Sequence, residues 1–406
     1  MSGPGRRAEG RSVTIVVCDD TGSLLGSLGP FDVATPWWQD LEPIRCRFPM
    51  LTVLRLLHGT PSDGGAFGGQ VTYLAESGRG LTGLSARLPV DPAALADHPH
   101  RMPWARPGGP AADLDWVVHA ASAAGLEAAG PPFQHRTWNL SCIWSLPARD
   151  SRGSRGRLWL KCVPGFFAHE ACVLRRLSAE AVPRLVAAQD HRLLLGDLPG
   201  RDGFDATPDE AKQVIECLVG LQIRTLPLVP ALLADGVPDA RGEALIQQLQ
   251  AVVARRAPDN PILRELAGSA GKRLARAQSC GLPDVLVHGD AHPGNARIGL
   301  GTPILFDWGD SRIGNPVLDL AVLNRLHGPA RDALADYWLR TWKQALPSSD
   351  PEQAWHLLRP LAALRAATVY QHFLDNIEPS ERIYHEEDVR PALEIAARLA
   401  AHGSGR

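Results

Sequence analysis

The sequence predicts an α+β protein built from more than one domain, and three observations carry that expectation. The first two hundred residues are punctuated by short β-branched runs. From about Thr207 the chain turns to long amphipathic helices. One β-rich stretch, residues 285–314, interrupts those helices. At 406 residues the chain exceeds what one ordinary core accommodates.

Taken in order, residues 1–12 are basic, lack the apolar core of a secretory signal, and read as a disordered leader. Residues 13–96 read as a small α/β accessory domain. "SVTIVVCDDTGSLLGSL" is two strand-like runs around Asp-Asp-Thr-Gly, a hairpin signal. Pro36 marks the start of a short helix, and "LTVLRLL" and "GGQVTYLAE" add two strands. This order is similar to a Nudix-like fold. The glutamate-rich metal-binding helix of that family is absent, so its hydrolase activity is not carried over. Residues 97–113, dense in Pro and Gly, read as a linker. Within 114–200 a helix precedes the strands "HRTWNLSCIWSL", "GRLWLKCV" and "HRLLLGDLPG", with "AHEACVLRRL" helical between them. Residues 201–406 are the helical part.

Composition narrows the functional classes. A net charge of −2 argues against nucleic acid as the main partner, because phosphate binding needs a basic face. No apolar run is long enough to span a bilayer. Seven cysteines, scattered and without a CxxC pair, suit reduced thiols in the cytoplasm better than disulfides. Only four lysines occur, Lys161, Lys212, Lys272 and Lys343, so the one in an apolar strand, Lys161, stands out.

The chemistry concentrates in "VLVHGDAHPGNARIGLGTPILFDWGDSRIGNPVLDLAVL". Two short strands near Ala296–Ile298 and Ile304–Phe306 make a hairpin that brings Asp290, Asn295 and Asp307 to one end. Two carboxylates and an amide oxygen form a hard-oxygen set suited to magnesium. His288 and His292 flank Asp290, but a zinc site needs further ligands at metal spacing, and no HExxH occurs. Taken singly, Asp and Asn at these positions also suit ordinary turns. Asn315 and Pro316 open a helix as cap and first residue, with Asp319 in its first turns.

His288-x-Asp290-x-x-x-x-Asn295 has the spacing of a kinase catalytic loop. With "FDWGD" and "GNPVLDLA" following, "HGDAHPGN" resembles the aminoglycoside phosphotransferase and choline kinase-like family, over roughly residues 130–400. The resemblance implies a two-lobed protein-kinase-like core, a small β-rich lobe and a large helical lobe, behind the accessory domain. It implies phosphoryl transfer from ATP, with GTP an alternative donor, to a hydroxyl of a small molecule. In that pattern Asp290 orients or deprotonates the acceptor, and Asn295 and Asp307 hold Mg2+. Lys161 neutralises nucleotide phosphates, and Glu170, nine residues on, fixes Lys161 through an ion pair. His288 and His292 brace the loop, and Asp319 ties its backbone. The glycine-rich loop of protein kinases is missing from "HRTWNLSCIWSL", where Asn139 and Ser141 with backbone amides are the candidates for contacting phosphate. A nucleotide sensor without turnover, and a kinase of peptides recognised by the accessory domain, are the alternative classes.

Overall fold

The computed structural model describes residues 10–62, 65–78, 81–86, 92–178, 180–299, 301–325 and 329–403. The described chain is mixed α+β, β-rich in its N-terminal part and helical in its C-terminal part. It divides into two compact units. One comprises Met1–Phe166, Leu185–Asp197 and Phe373–Glu387; the other comprises Phe167–Arg184, Leu198–His372 and Asp388–Arg406.

The first unit holds two sheets. Strands β1 (Arg11–Cys18) and β2 (Leu24–Val33) form the hairpin expected from Asp-Asp-Thr-Gly. Asp19 Oδ1 closes its turn by accepting from Thr21 N at 3.0 Å and Ser23 N at 2.9 Å. The strand begins at Arg11, inside the stretch read as leader; residues 1–9 lie outside the described residues. Arg11 is buried because its guanidinium donates to the carbonyl and hydroxyl oxygens of Thr35. The short helix expected at Pro36 begins instead at Glu42, as α1 (Glu42–Arg47). The intervening backbone is committed to β-bridges, Trp37 to Phe67 and Asp40 to Arg136, which a helix cannot make. Strands β3 (Leu51–Thr60) and β4 (Gln70–Ser77) complete a sheet of order β2-β1-β4-β3, in which β1 and β4 run parallel.

The second sheet follows α2 (Gly109–Ala123), which starts inside the stretch read as a linker. Its strands are β5 (Leu126–Ala128), β6 (Phe133–Trp138), β7 (Ser141–Asp150), β8 (Arg155–Cys162), β9 (Leu185–Gln189) and β10 (Arg192–Gly196). Their order is β5-β7-β8-β10-β9, with β6 also paired to β7. Buried Asp113 fastens α2 to this sheet, accepting from His191 Nε2 at 2.9 Å, Arg192 Nε at 2.7 Å and the Cys162 thiol at 3.4 Å. With those partners the Asp113, Cys162 and His191 group is a satisfied polar tie that needs no cation.

The two sheets are stitched through the outer edge of β3. Unpaired edge groups must find partners when buried. Gln134 on β6, fully buried, supplies them as a backbone would: its Oε1 accepts from Val53 N at 3.0 Å and its Nε2 donates to Val53 O at 2.8 Å. Thr137 Oγ1 donates to Leu54 O, and Glu381 Oε1 accepts from Leu56 N at 3.0 Å. Glu381 Oε2 also accepts from Asn139 N at 2.9 Å, joining the β6–β7 turn to the same edge. Burial beside Glu378 pushes the Glu381 carboxyl up to about 8.

The second unit opens with α3 (Glu170–Arg176) and β11 (Arg201–Asp202), then α4 (Pro208–Arg224). Thr207 caps α4 in a capping box with Glu210: Glu210 N donates to Thr207 Oγ1, and Thr207 N donates to Glu210 Oε2 at 2.8 Å. Helices α5 (Val229–Ala234), α6 (Gly242–Arg256), α7 (Pro261–Gly268) and α8 (Ala270–Gln278) follow. Then come β12 (Val285–Val287), β13 (Ala296–Ile298), β14 (Ile304–Leu305) and β15 (Arg312–Gly314). β12 pairs with β15, and β13 pairs with both β14 and β11. Helices α9 (Pro329–Ala345), α10 (Pro351–Asn376) and α11 (Val389–Gly403) close the chain. Among the described residues no single helix is long and apolar enough to cross a membrane.

Candidate active site

Two antiparallel pairs, β12 with β15 and β13 with β14, hold the ends of the loop at 288–295. Gly289 takes φ +92° within it, and a Cβ there would stand 2.2 Å from Asp310 O, so both the turn and the close approach require glycine. Buried Asp319 accepts from His288 N at 3.1 Å, Gly289 N at 2.7 Å and Gln222 Nε2 at 2.6 Å. Asn315 caps the 3-10 helix carrying Asp319, accepting from Val317 N at 3.1 Å. One carboxylate thus fixes two consecutive loop amides. Burial raises the Asp319 carboxyl, against the lowering effect of His288 and of those amides.

His288 is fully buried. Its Nε2 lies 3.0 Å from Phe306 O, which only accepts, while Nδ1 accepts from Asp290 N at 3.4 Å. That pairing selects the neutral imidazole with its proton on Nε2. Burial lowers its pKa in the same direction. His292 Nδ1 accepts from Gly294 N at 3.0 Å, and its Nε2 lies 3.5 Å from Asp290 Oδ2. Both histidines therefore organise the loop.

Asn295 Nδ2 donates to Asp290 O at 3.0 Å and to Asp290 Oδ2 at 3.2 Å. Using its amide nitrogen this way reserves the amide oxygen as a hard donor. Asp307 sits in the left-handed region, φ +66° and ψ +63°, a conformation costly for a residue with a Cβ and concentrated at functional sites. Glu170, buried, accepts from the next backbone amide, Trp308 N, at 3.2 Å. The oxygen donors of Asn295 and Asp307 fit magnesium, which takes one or two protein oxygens and leaves the remainder to waters and phosphates.

Asp290, Asn295, Asp307, His288, His292, Asp319 and Glu170 all belong to the second unit. Lys161, Asn139 and Ser141 belong to the first. Lys161 is buried on β8, opposite Ile143 on one side and Leu193 on the other. Asn139 and Ser141 flank the β6–β7 turn. Asn139 Nδ2 lies 3.1 Å from His385 Nε2, and Ser141 Oγ accepts from Trp138 Nε1 at 2.9 Å. Each side chain thus has one partner inside its own unit, while Asn139 Oδ1 has none among the described residues.

Residue-by-residue reading of the sequence missed Asp310, Arg312 and Arg365. Burial pushes the Asp310 carboxyl up to about 6, reinforced by Asp290 and Asp307 and opposed by Arg312 and Arg365. Arg312 donates to Asp310 O from Nε at 3.0 Å and Nη2 at 2.9 Å. The signal for Arg365 was one arginine in the apolar run "LAALRAA"; Asp310 was hidden as an ordinary turn aspartate.

The family model described as phosphotransferase enzyme family matches residues 161–361, from Lys161 through the whole 288–319 constellation. This segment belongs to the phosphotransferase enzyme family. No curated protein sequence matches the chain. Among solved structures, the chain is similar to a macrolide 2'-phosphotransferase from Brachybacterium faecium, at 18% identity and TM-score 0.46, covering 71% of this chain and 98% of that one. It is similar to an ethanolamine kinase of Plasmodium vivax at 11% identity and TM-score 0.49, covering 68% and 82%. A choline kinase from Cryptosporidium parvum matches at 11% identity and TM-score 0.48, covering 72% and 97%. With each of these TM-scores below 0.5, the phosphotransferase assignment rests on the family match and on the residues of the site.

Proposed function

We propose that this phosphotransferase moves the γ-phosphoryl group of ATP or GTP to a hydroxyl of a small molecule. The observation that carries the reading is the Asp290–Asn295 loop, held by Asp319 and His288, with Phe306 N donating to Asn295 O at 3.0 Å next to Asp307 in the chain. Asp290 accepts a hydrogen bond from the acceptor hydroxyl and aims its oxygen at the γ-phosphorus. As the new O–P bond forms, the hydroxyl proton passes to Asp290. The bond from the γ-phosphorus to the bridging oxygen breaks, and its electrons leave with the nucleoside diphosphate. The metal, when bound by Asn295 and Asp307, neutralises charge on the phosphates and orients them.

Asn295 Nδ2 positions Asp290 Oδ2, and the neutral His288 holds the Asp290 amide, so the carboxylate is set before substrate arrives. Asp319 keeps the loop amides from swinging. Lys161 is assigned to the nucleotide phosphates on the family pattern. Asn139 and Ser141, with backbone amides of their turn, are the candidates for phosphate contact; Asn139 spends its backbone N–H on Glu381, whereas the Ser141 hydroxyl, which accepts from Trp138 Nε1, keeps its own proton to donate. Free cysteines support a cytoplasmic setting: all seven are unpaired and five are buried.

The test is nucleotide turnover in the presence of Mg2+, with ATP and GTP compared as donors. Asp307→Asn is expected to weaken metal-dependent nucleotide binding, and Asp290→Asn to lower turnover by about 10²–10⁴-fold while nucleotide still binds. A protein that binds neither nucleotide with Mg2+ would remove this reading.

A further inference from the structure

The turn after β11 carries an aromatic ring to the surface beside the Asp290 loop. Phe204 is 65% exposed, the most exposed large apolar side chain among the described residues. A single exposed apolar side chain is ordinary by itself. What sets Phe204 apart is how firmly its backbone is fixed and what its ring touches. A Cβ on Gly203 would stand 2.0 Å from Pro293 O, so the chain just before Phe204 lies against the loop backbone where only glycine fits. β11 pairs there with β13, and Arg297 closes the segment, donating from Nη1 to Asp202 Oδ1 and from Nη2 to Gly200 O, both at 2.6 Å. The ring lies over Gly294, where a Cβ would stand 2.6 Å from Phe204 Cε1. Its centroid is 6.2 Å from that of His292, with the planes at 47°. The far end of His292, Nε2, is 3.5 Å from Asp290 Oδ2, and the two side chains are 25% and 28% exposed. Phe204, His292 and Asp290 thus form a run of neighbouring side chains, each open to solvent and all in the second unit.

We infer that Phe204 is a specificity-determining residue: it forms an apolar wall of the acceptor site, and the preferred acceptor carries a ring or hydrocarbon face beside the hydroxyl that Asp290 takes. The inference rests on the phosphotransferase reading, which puts the acceptor hydroxyl at Asp290. A molecule whose hydroxyl reaches Asp290 meets, one imidazole away, an apolar ring exposed to water. Covering that ring with apolar surface removes both surfaces from water. A polar face laid there loses its water and gains no hydrogen bond in return. Small-molecule sites are built this way, with apolar and aromatic walls and a few polar groups that fix orientation. The ring joins the site through His292, whose Nε2 faces the carboxylate assigned to the acceptor, so the acceptor rather than the nucleotide is the occupant. His292 holds its place in that row because its Nδ1 accepts from Gly294 N, in the same turn that the ring covers.

The experiment compares the full chain, wild type, with Phe204→Ser and Phe204→Leu on pairs of probes that share their hydroxyls. One pair is methyl and phenyl β-D-glucoside; the other is ethanolamine and 2-amino-2-phenylethanol. Binding is titrated by saturation-transfer NMR with Mg2+ and a non-hydrolysable ATP or GTP analogue present, and transfer from ATP or GTP is read by mass. Wild type is expected to bind the aryl member of at least one pair about tenfold more tightly than its partner. Phe204→Ser is expected to erase that preference, and Phe204→Leu, which stays apolar, to keep most of it. Nucleotide affinity should be the same in all three proteins. A wild type with no aryl preference in either pair overturns the inference, and so does a preference that survives Phe204→Ser. A weaker nucleotide affinity in Phe204→Ser with the aryl preference unchanged would give the ring to the nucleotide and overturn it. Equal loss of both members of a pair would make Phe204 a brace for His292, which also overturns it. An aryl preference lost in Phe204→Ser, but without transfer to any probe, would support the wall and count against the phosphotransferase reading alone.

Discussion

Asp319 accepts three hydrogen bonds with two oxygens, from His288 N, Gly289 N and Gln222 Nε2. Asp319→Ala leaves all three donors buried and unsatisfied, at about 1–3 kcal/mol each before relaxation. The expected outcome is a stability loss of several kcal/mol by urea unfolding and a fall in turnover larger than any change in nucleotide affinity. An unchanged unfolding midpoint would mean the loop is held by something else. Asp290→Asn keeps the size of the side chain and removes its charge. Turnover should fall by about 10²–10⁴-fold, the usual contribution of a positioned acid–base group, with the melting temperature little changed. At this scale the loop was legible as a motif: "HGDAHPGN" put Asp290, Asn295 and the bracing His288 close together in sequence, and the structure holds them in one loop; their roles came from the family resemblance. Arg365 left only a faint signal, one arginine in an apolar run. Nothing in a sequence tells an arginine that reaches solvent from one buried beside carboxylates, as Arg365 is beside Asp310 and Asp319.

At the level of elements, the strands around the loop and the capped helices follow local rules. Thr207→Ala removes a cap that completes a capping box, and about 1 kcal/mol of stability should go with it, read by denaturant unfolding. The edge of β3 follows no local rule. Gln134, Thr137 and Glu381 satisfy it from β6 and from a segment more than three hundred residues away, so neither hydropathy nor turn signals announce the join. Glu381 also makes the join sensitive to pH. Its folded carboxyl is raised to about 8, above the range of an unfolded glutamate. A group raised in the folded state contributes fully below its unfolded pKa and loses that contribution as pH rises through the folded one. Stability should therefore decline between about pH 4.5 and pH 8. Glu381→Gln, which stays neutral, should flatten the decline in melting temperature measured across that range. An unchanged pH profile in the variant would assign the titration to another group.

For the whole molecule, the chain length and the alternation of β-rich and helical stretches point to the α+β class that the structure shows. The relation of the N-terminal sheet to the rest was not legible, because the ties are single buried polar side chains. The consequence is testable. Removing residues 1–96 takes away β3 and strands Gln134, Thr137 and Glu381. The truncated chain is expected to be aggregated or molten by near-ultraviolet circular dichroism; a well-folded fragment would show that the N-terminal sheet is an independent attachment.

The measurement that bears most directly on the phosphotransferase reading is transfer itself. Purified full-length protein with Mg2+ and γ-labelled ATP or GTP is mixed with paired acceptors, each neutral or cationic hydroxyl compound matched to a carboxylated or phosphorylated counterpart. Products are read by mass, with Asp290→Asn alongside. Label is expected on a hydroxyl acceptor with the wild type and to fall by about 10²–10⁴-fold with the variant. Equal product with Asp290→Asn, or no labelled product from any acceptor despite bound nucleotide, would contradict it.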